Sequence, residues 1–353
     1  MQTATLFALS LYFILMLAIG VYAWRKSTAD SSEYLLSGRS LGPAVTALAA
    51  GASDMSGWLM LGLPGAIFLS GLAESWIIIG LFVGAWANWV IVAPRLRAQT
   101  ESYGNALTIP EFLGNRFADN SHILRIVASL VIVVFFALYT ASGLVAGGKL
   151  FESAFGLSYA PGLWVTVLVV VAYVVLGGFL AVSLTDFVQG MIMMIALIVL
   201  PIAAWIGLGS GASPGTILNG IDPNLTSFFA GTTMLGIVSA AAWGLGYFGQ
   251  PHIIVRFMAI RSVAEIPTAR RICMTWMGIS LVGAVAVGLI GRAYAGARGL
   301  VVDDPETIFI LLAQLLLDSL YLLIQLAARD HSVINDSNDT VDFDPVFWWG
   351  IFL

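Results

Sequence analysis

Leu41-Gly42-Pro43-Ala44-Val45-Thr46-Ala47-Leu48-Ala49-Ala50-Gly51-Ala52-Ser53-Asp54-Met55-Ser56-Gly57-Trp58, continued through Leu63-Pro64-Gly65-Ala66, carries a single charged residue. The stretch is long and apolar enough to cross a bilayer, yet Asp54 near its middle costs ~3 kcal/mol in its charged form at the bilayer centre. Gly51, Ser53, Ser56 and Gly57 flank the acid. Glycines and hydroxyls let a helix unwind, and unwound backbone is tolerated at membrane depth only where it lines a cavity or binds an ion. The pattern predicts a broken helix with Asp54 at a functional site. The alternative is an acid that pairs with a distant arginine or stays neutral and hydrogen-bonded.

A second such stretch is Ala240-Ala241-Ala242-Trp243-Gly244-Leu245-Gly246-Tyr247-Phe248-Gly249-Gln250-Pro251-His252. Its three glycines match the spacing of a dinucleotide fingerprint, but no strand can precede them inside a membrane span and Pro251 cuts the helix after them, so helix interruption is the better account. An α-helix would put Trp243 and Tyr247 one turn apart on one face, either at the site or in an interfacial aromatic belt. Two interrupted spans far apart in sequence point to a secondary transporter with its solute between them.

The rest of the chain agrees. Of 353 residues, 59% are hydrophobic and 10% charged, far below the roughly one quarter of charged residues in a soluble domain. Five of the twenty acids (Asp330, Asp336, Asp339, Asp342, Asp344) lie near the C-terminus, which leaves fifteen acids against fifteen bases before them. No basic surplus exists to neutralise phosphates, so nucleic acid is excluded as a partner. There is no H-E-x-x-H, no P-loop and no zinc-like spacing among His122, His252 and His331, and an enzyme is not expected. The lone Cys273 reads as core.

Charge gaps give eight spans, at 1–24, 40–73, 75–94, 126–148, 153–185, 187–221, 223–255 and 272–291, with a ninth candidate at 307–328 that holds Asp318. The chain thus reads as a membrane domain over 1–328 and an acidic tail over 329–353. The first span lacks a basic n-region and a cleavage site and is read as a retained helix. With the N-terminus outside, eleven of fifteen basic residues fall on cytoplasmic connections (Arg25, Lys26, Arg39, Arg95, Arg97, Arg116, Arg125, Arg256, Arg261, Arg270, Arg271).

On Ser37-Gly38-Arg39-Ser40, the stretch from Leu41 to Ala66, Gly178-Phe179-Leu180-Ala181-Val182-Ser183, Trp243 to His252, and Arg270-Arg271 with Thr275-Trp276-Met277, the sequence resembles the sodium/solute symporter family, and within it the members that carry proline. The resemblance covers roughly 5–315. It implies an all-α polytopic membrane protein of the bacterial inner (plasma) membrane, with a leucine-transporter-type inverted-repeat core behind one extra N-terminal helix. It implies proline as solute, sodium as coupling ion, lipid as surroundings and no further cofactor; another small organic solute is the alternative. The family's sodium carbonyls map to Ala52 and Met55, with Asp54 acting indirectly. Its solute site maps to Ser56, Gly57, Trp58, Tyr139, Trp243, Tyr247 and Pro251. Asp186 matches an ion-handling acid, although Ser183, Thr185 and Asp186 could equally cap a helix. Arg39 matches a residue near the inner gate, or simply signals topology.

After Leu315 the motifs stop matching, and the second repeat is expected to be incomplete. Three outcomes are open: a truncated descendant of a symporter, a chain completed by a partner polypeptide, or a sensor that keeps the solute pocket without transport.

Overall fold

The computed structural model describes residues 3–315 apart from positions 28, 157, 210 and 212. The expected ninth span and the acidic tail therefore lie largely or wholly outside the described residues. Within them the protein is helical, with one isolated bridge between Leu41 and Ile260.

In chain order the helices are α1 (Thr3–Lys26), α2 (Ser31–Leu36), α3 (Pro43–Met55), α4 (Gly62–Ser70), α5 (Ser75–Ser102), α6 (Ile109–Arg116), α7 (Ile123–Phe155), α8 (Tyr159–Gly207), α9 (Pro214–Ile221), α10 (Met234–Ala242), α11 (Pro251–Ala259) and α12 (Ile266–Arg298). Four apolar segments, Gly57–Ser102, Ile123–Glu152, Tyr159–Gly207 and Val263–Arg298, are long enough to cross a membrane. Two of them are too long for one crossing. At 1.5 Å per residue the 49 residues of α8 would run about 73 Å through a core ~30 Å thick. Gly178 (φ 55°, ψ −144°) breaks that run, and Gly71 (φ 72°) separates α4 from α5. A side chain at Gly178 would meet Tyr34, so the bend needs glycine for space as well as for its positive φ.

Two boundaries differ from the sequence expectation. The expected division between spans at Asp186 falls instead at Gly178, because a glycine can reverse the chain where an acid cannot. Asp186 consequently sits inside the second half of α8. The expected span 223–255 is shorter: a 3₁₀ turn, Pro223–Thr226, and an irregular loop precede α10.

The broken helices pack side by side in opposite directions. Leu41, before α3, meets the end of α11, its N–H donating to the Ala259 carbonyl (3.2 Å) while the Arg261 N–H donates to the Leu41 carbonyl (2.9 Å). Each broken helix is followed by a long one, α5 after α4 and α12 after α11. This is the inverted relation expected of two repeats. The core between them is apolar, with Leu59, Ile67, Phe257 and Met277 fully buried.

One end of the bundle gathers basic side chains. The buried Arg39 guanidinium donates to Thr100 Oγ1 (3.1 Å), Asn105 Oδ1 (2.9 Å), the Met258 carbonyl (2.7 Å) and the Ala106 carbonyl (2.8 Å). Arg97 donates to the carbonyls of Ile260 (2.7 Å) and Arg261 (3.2 Å). At the opposite end Lys149 pairs with Asp304 (3.1 Å) and Glu306 (2.8 Å).

Candidate functional site

Why α3 stops is visible at Ser56. Its backbone (φ 45°, ψ −157°) occupies a region that favours glycine, a conformation that costs about 1–3 kcal/mol for other residues and clusters at functional sites. A short 3₁₀ turn, Gly57–Leu59, follows, and the chain resumes as α4. The Ser56 N–H donates to the Ala52 carbonyl (3.0 Å), and the Ser56 hydroxyl accepts weakly from the Trp58 N–H (3.5 Å). The Tyr139 hydroxyl, from α7, donates to the Ser53 carbonyl (2.7 Å). A helix C-terminus whose carbonyls point out of the ladder carries partial negative charge and attracts cations.

The second break faces the first. α10 passes into a 3₁₀ turn, Trp243–Phe248, and α11 opens on Pro251. Tyr247 is buried and its hydroxyl donates to Asp54 Oδ2. Trp243 is 60% exposed and points elsewhere. The expected shared face fails for a geometric reason. At 3.6 residues per turn, positions i and i+4 nearly eclipse, whereas at 3.0 per turn they diverge by about 120°.

Below Asp54 lies a second polar cluster, which the sequence reading did not assemble. Asp186 Oδ2 accepts from Ser53 Oγ (2.7 Å) and Arg256 Nη2 (2.7 Å). Arg256 also donates to Ser53 Oγ (3.0 Å) and Ser183 Oγ (3.0 Å), and its guanidinium lies 4.7 Å from the centre of the Phe179 ring. Asp186 therefore caps no helix start; its carboxylate bridges α8, α3 and α11. Arg256 counted in the sequence only as a positive-inside charge, and nothing local marks it as the partner of an acid seventy residues away.

Ala52, Ser56, Gly57 and Asp186 line one cavity of about 340 Å³, together with Tyr12, Gln189 and Gly143. Tyr12 of α1 accepts a hydrogen bond from Gln189 Nε2, which ties the extra N-terminal helix to this wall. Met55 is buried at the end of α3, and Trp58 packs over Gly62. Pro251 lines a different cavity, of about 540 Å³, beside His252. Tyr139 stands between the two, its ring 5.0 Å from that of His252.

Arg39 lies away from both breaks, in the basic-end cluster. Ser37, Gly38 and Arg39 all have positive φ (53°, 57°, 52°), so the backbone is strained to deliver its guanidinium. Burial and then the neighbouring charge of Arg97 lower that guanidinium from its ordinary pKa. Among the described residues no three His, Cys, Asp or Glu side chains gather as a metal cluster. The oxygens at the breaks are carbonyls, hydroxyls and two carboxylates, a donor set that suits a hard cation.

Residues 34–334 match the family model described as the sodium:solute symporter family, which carries the match past Leu315. The chain is 58% identical over 301 residues to the high-affinity proline transporter PutP of Bacillus subtilis, covering 85% of this chain and 63% of that protein. It is 52% identical over 316 residues to the osmoregulated proline transporter OpuE of the same organism, covering 90% and 64%. Against sodium/proline symporter 2 of Staphylococcus saprophyticus the identity is 51% over 328 residues, covering 92% and 64%. The chain thus spans a little under two thirds of the length of these relatives. A solved Na+-coupled sialic acid symporter, in its substrate-bound outward-open state, superposes with a TM-score of 0.75 at 18% identity, over 88% of this chain and 66% of that one. At that identity the likeness is one of fold.

Proposed function

Because the chain belongs to the sodium:solute symporter family, a family of transporters rather than enzymes, we propose that it acts in sodium-coupled proline import by alternating access. The observation that carries the reading is the meeting of two helix breaks through Tyr247 and Asp54, with a second acid, Asp186, held beside them by Ser53 and Arg256. Relatives at 51–58% identity that are named as proline transporters support the choice of solute.

In this reading sodium sits at the C-terminal end of α3 against the carbonyls of Ala52 and Met55. Asp54 supplies charge to the region without direct coordination, and Asp186 serves as a further ion-handling group. Proline occupies the space by Ser56, Gly57, Trp58 and Tyr139, with its carboxylate near free helix N–H groups. Tyr247 acts through Asp54. Trp243 and Pro251 join the solute only in another state of the transport cycle. Arg39 closes the basic end as an inner gate. A ~100 mV potential and a tenfold sodium gradient supply ~3.7 kcal/mol for one sodium, enough to accumulate proline a few hundredfold.

The basic end is placed in the cytoplasm and the N-terminus outside, in the bacterial plasma membrane. The grouping of Arg39, Arg97 and Arg261 about the end of α11 supports that orientation. Lipid or a partner chain covers the outer face of α7, where Leu130, Val133, Phe135 and Leu138 are 62–66% exposed.

The test is binding of radiolabelled proline to the purified chain, with and without sodium, against pantothenate and galactose. Sodium-dependent binding displaced by neither competitor is the expected result. Displacement by either would reassign the solute, and no binding by a folded, monodisperse sample would overturn the reading. Counterflow in proteoliposomes then separates transport from a binding-only sensor.

A further inference from the structure

α5 meets the second helix break along one face, through residues four apart: Gly80, Gly84 and Asn88. Their opposites are three apart: Ala241, Gly244 and Tyr247. The two spacings match. Four residues of α-helix and three of 3₁₀ helix each rise about 6 Å, so the step from Gly84 to Asn88 stays in register with that from Gly244 to Tyr247, which lies within the 3₁₀ turn Trp243–Phe248. A methyl on Gly80 would strike the Ala241 backbone, and one on Gly84 that of Gly244. The two backbones therefore touch directly, as small residues permit between membrane helices.

The seam ends on Asn88, which is fully buried. Its Nδ2 donates to the Tyr247 carbonyl at 2.9 Å. That carbonyl lies past the last 3₁₀ bond of the turn, from the Gly249 N–H to the Gly246 carbonyl, and the residue four positions on is Pro251, which has no N–H to offer, so the donor comes from α5. The other end of the amide, Oδ1, is buried without a partner. Leucine, of similar shape, would avoid that cost, so the donor end is what the position uses. The residue whose carbonyl it holds is also the one whose hydroxyl reaches Asp54.

We propose that Asn88 is a positioning residue for the ion site, holding the Tyr247 backbone so that its phenol keeps the Asp54 carboxylate turned toward the break of α3. Asn88 touches neither ion nor solute. A carboxylate without its phenol donor is free to turn away, and its charge then draws sodium to the break less strongly. The inference rests on the sodium-coupled reading above.

The measurement is the sodium concentration that gives half-maximal proline binding. Asn88→Leu is expected to raise it about tenfold, the weight of one hydrogen bond to a charged group, and to leave proline affinity at saturating sodium unchanged. In a Tyr247→Phe background, which has no hydroxyl to position, Asn88→Leu should change nothing further. An unaltered half-saturation, an equal rise in the Tyr247→Phe background, or a matching loss of proline affinity would each overturn the proposal. Should the leucine variant not fold, Asn88→Ala removes the donor without bulk and serves in its place. If the wild-type chain binds no proline, the sodium-coupled reading falls, and the infrared band of the Asp54 carboxyl, assigned with Asp54→Asn, still decides the positioning. A shift in Asn88→Leu equal to that in Tyr247→Phe supports it, and an unmoved band refutes it.

Discussion

Tyr247 and Asp54 stand at the interruptions of two different helices, and the phenol of one donates a hydrogen bond to the carboxylate of the other. Each break thereby holds a polar group of its partner. If Asp54 serves sodium, Asp54→Asn should raise the sodium needed for half-maximal proline binding at least tenfold, since it removes the charge and keeps the shape. Equal sodium dependence in both proteins would remove Asp54 from the ion region.

Arg256 and Asp186 form an ion pair in which the guanidinium is buried and the carboxylate faces the cavity, and removing one partner of such a pair strands the other charge. Arg256→Met should lower unfolding stability by about 3–5 kcal/mol, and adding Asp186→Leu should recover much of the loss. Chemical denaturation in detergent reads both. A double variant no better than the single one would mean that the pair does not act as a unit.

Ser56 lies at the break of α3 and lines the cavity there. Ser56→Ala should weaken proline affinity by roughly 1 kcal/mol, one hydrogen bond, with normal membrane insertion. Equilibrium binding to membranes of known protein content measures this, and unchanged affinity excludes Ser56 from the solute.

Gly84→Ala places a methyl against the Gly244 carbonyl, where backbone faces backbone and neither side can yield. The variant should lose most of its monodisperse yield. Gly114→Ala, with open space around the added methyl, should not. Size-exclusion profiles of the two, made in parallel, test the seam.

Orientation is tested by labelling single cysteines with an impermeant reagent. Ala29 and Gly211 are both exposed, whereas the nearby Ser27 is buried and unsuitable. Gly211→Cys should label on intact cells and Ala29→Cys only after permeabilisation. The reverse pattern would invert the assignment.

The first break was legible because its cause is local: Gly51, Ser53, Ser56 and Gly57 surround an acid that no plain anchor would carry. The second was legible from Gly244, Gly246, Gly249 and Pro251, but not the sides its aromatics take, since a change from 3.6 to 3.0 residues per turn leaves no mark in the residues themselves. Asp186 was singled out while Arg256 passed as topology, because their pairing joins segments that only folding brings together. Asn88 escaped for the same reason. An amide in an apolar span gains meaning only from the carbonyl opposite, and that carbonyl belongs to the end of a turn on a distant segment.

Arg39 and Arg97 grip α11 through the carbonyls of Met258, Ile260 and Arg261. Every amino acid brings an identical carbonyl, so the acceptor half of this latch is indifferent to which residues occupy those three positions. A mutational scan across 258–261 would spare these acceptors, while a change at Arg39 deletes the bond to Met258 and a change at Arg97 those to Ile260 and Arg261. Heritable control over this latch is thus concentrated on the donor side, in the two arginines and in the Thr100 and Asn105 side chains that seat Arg39.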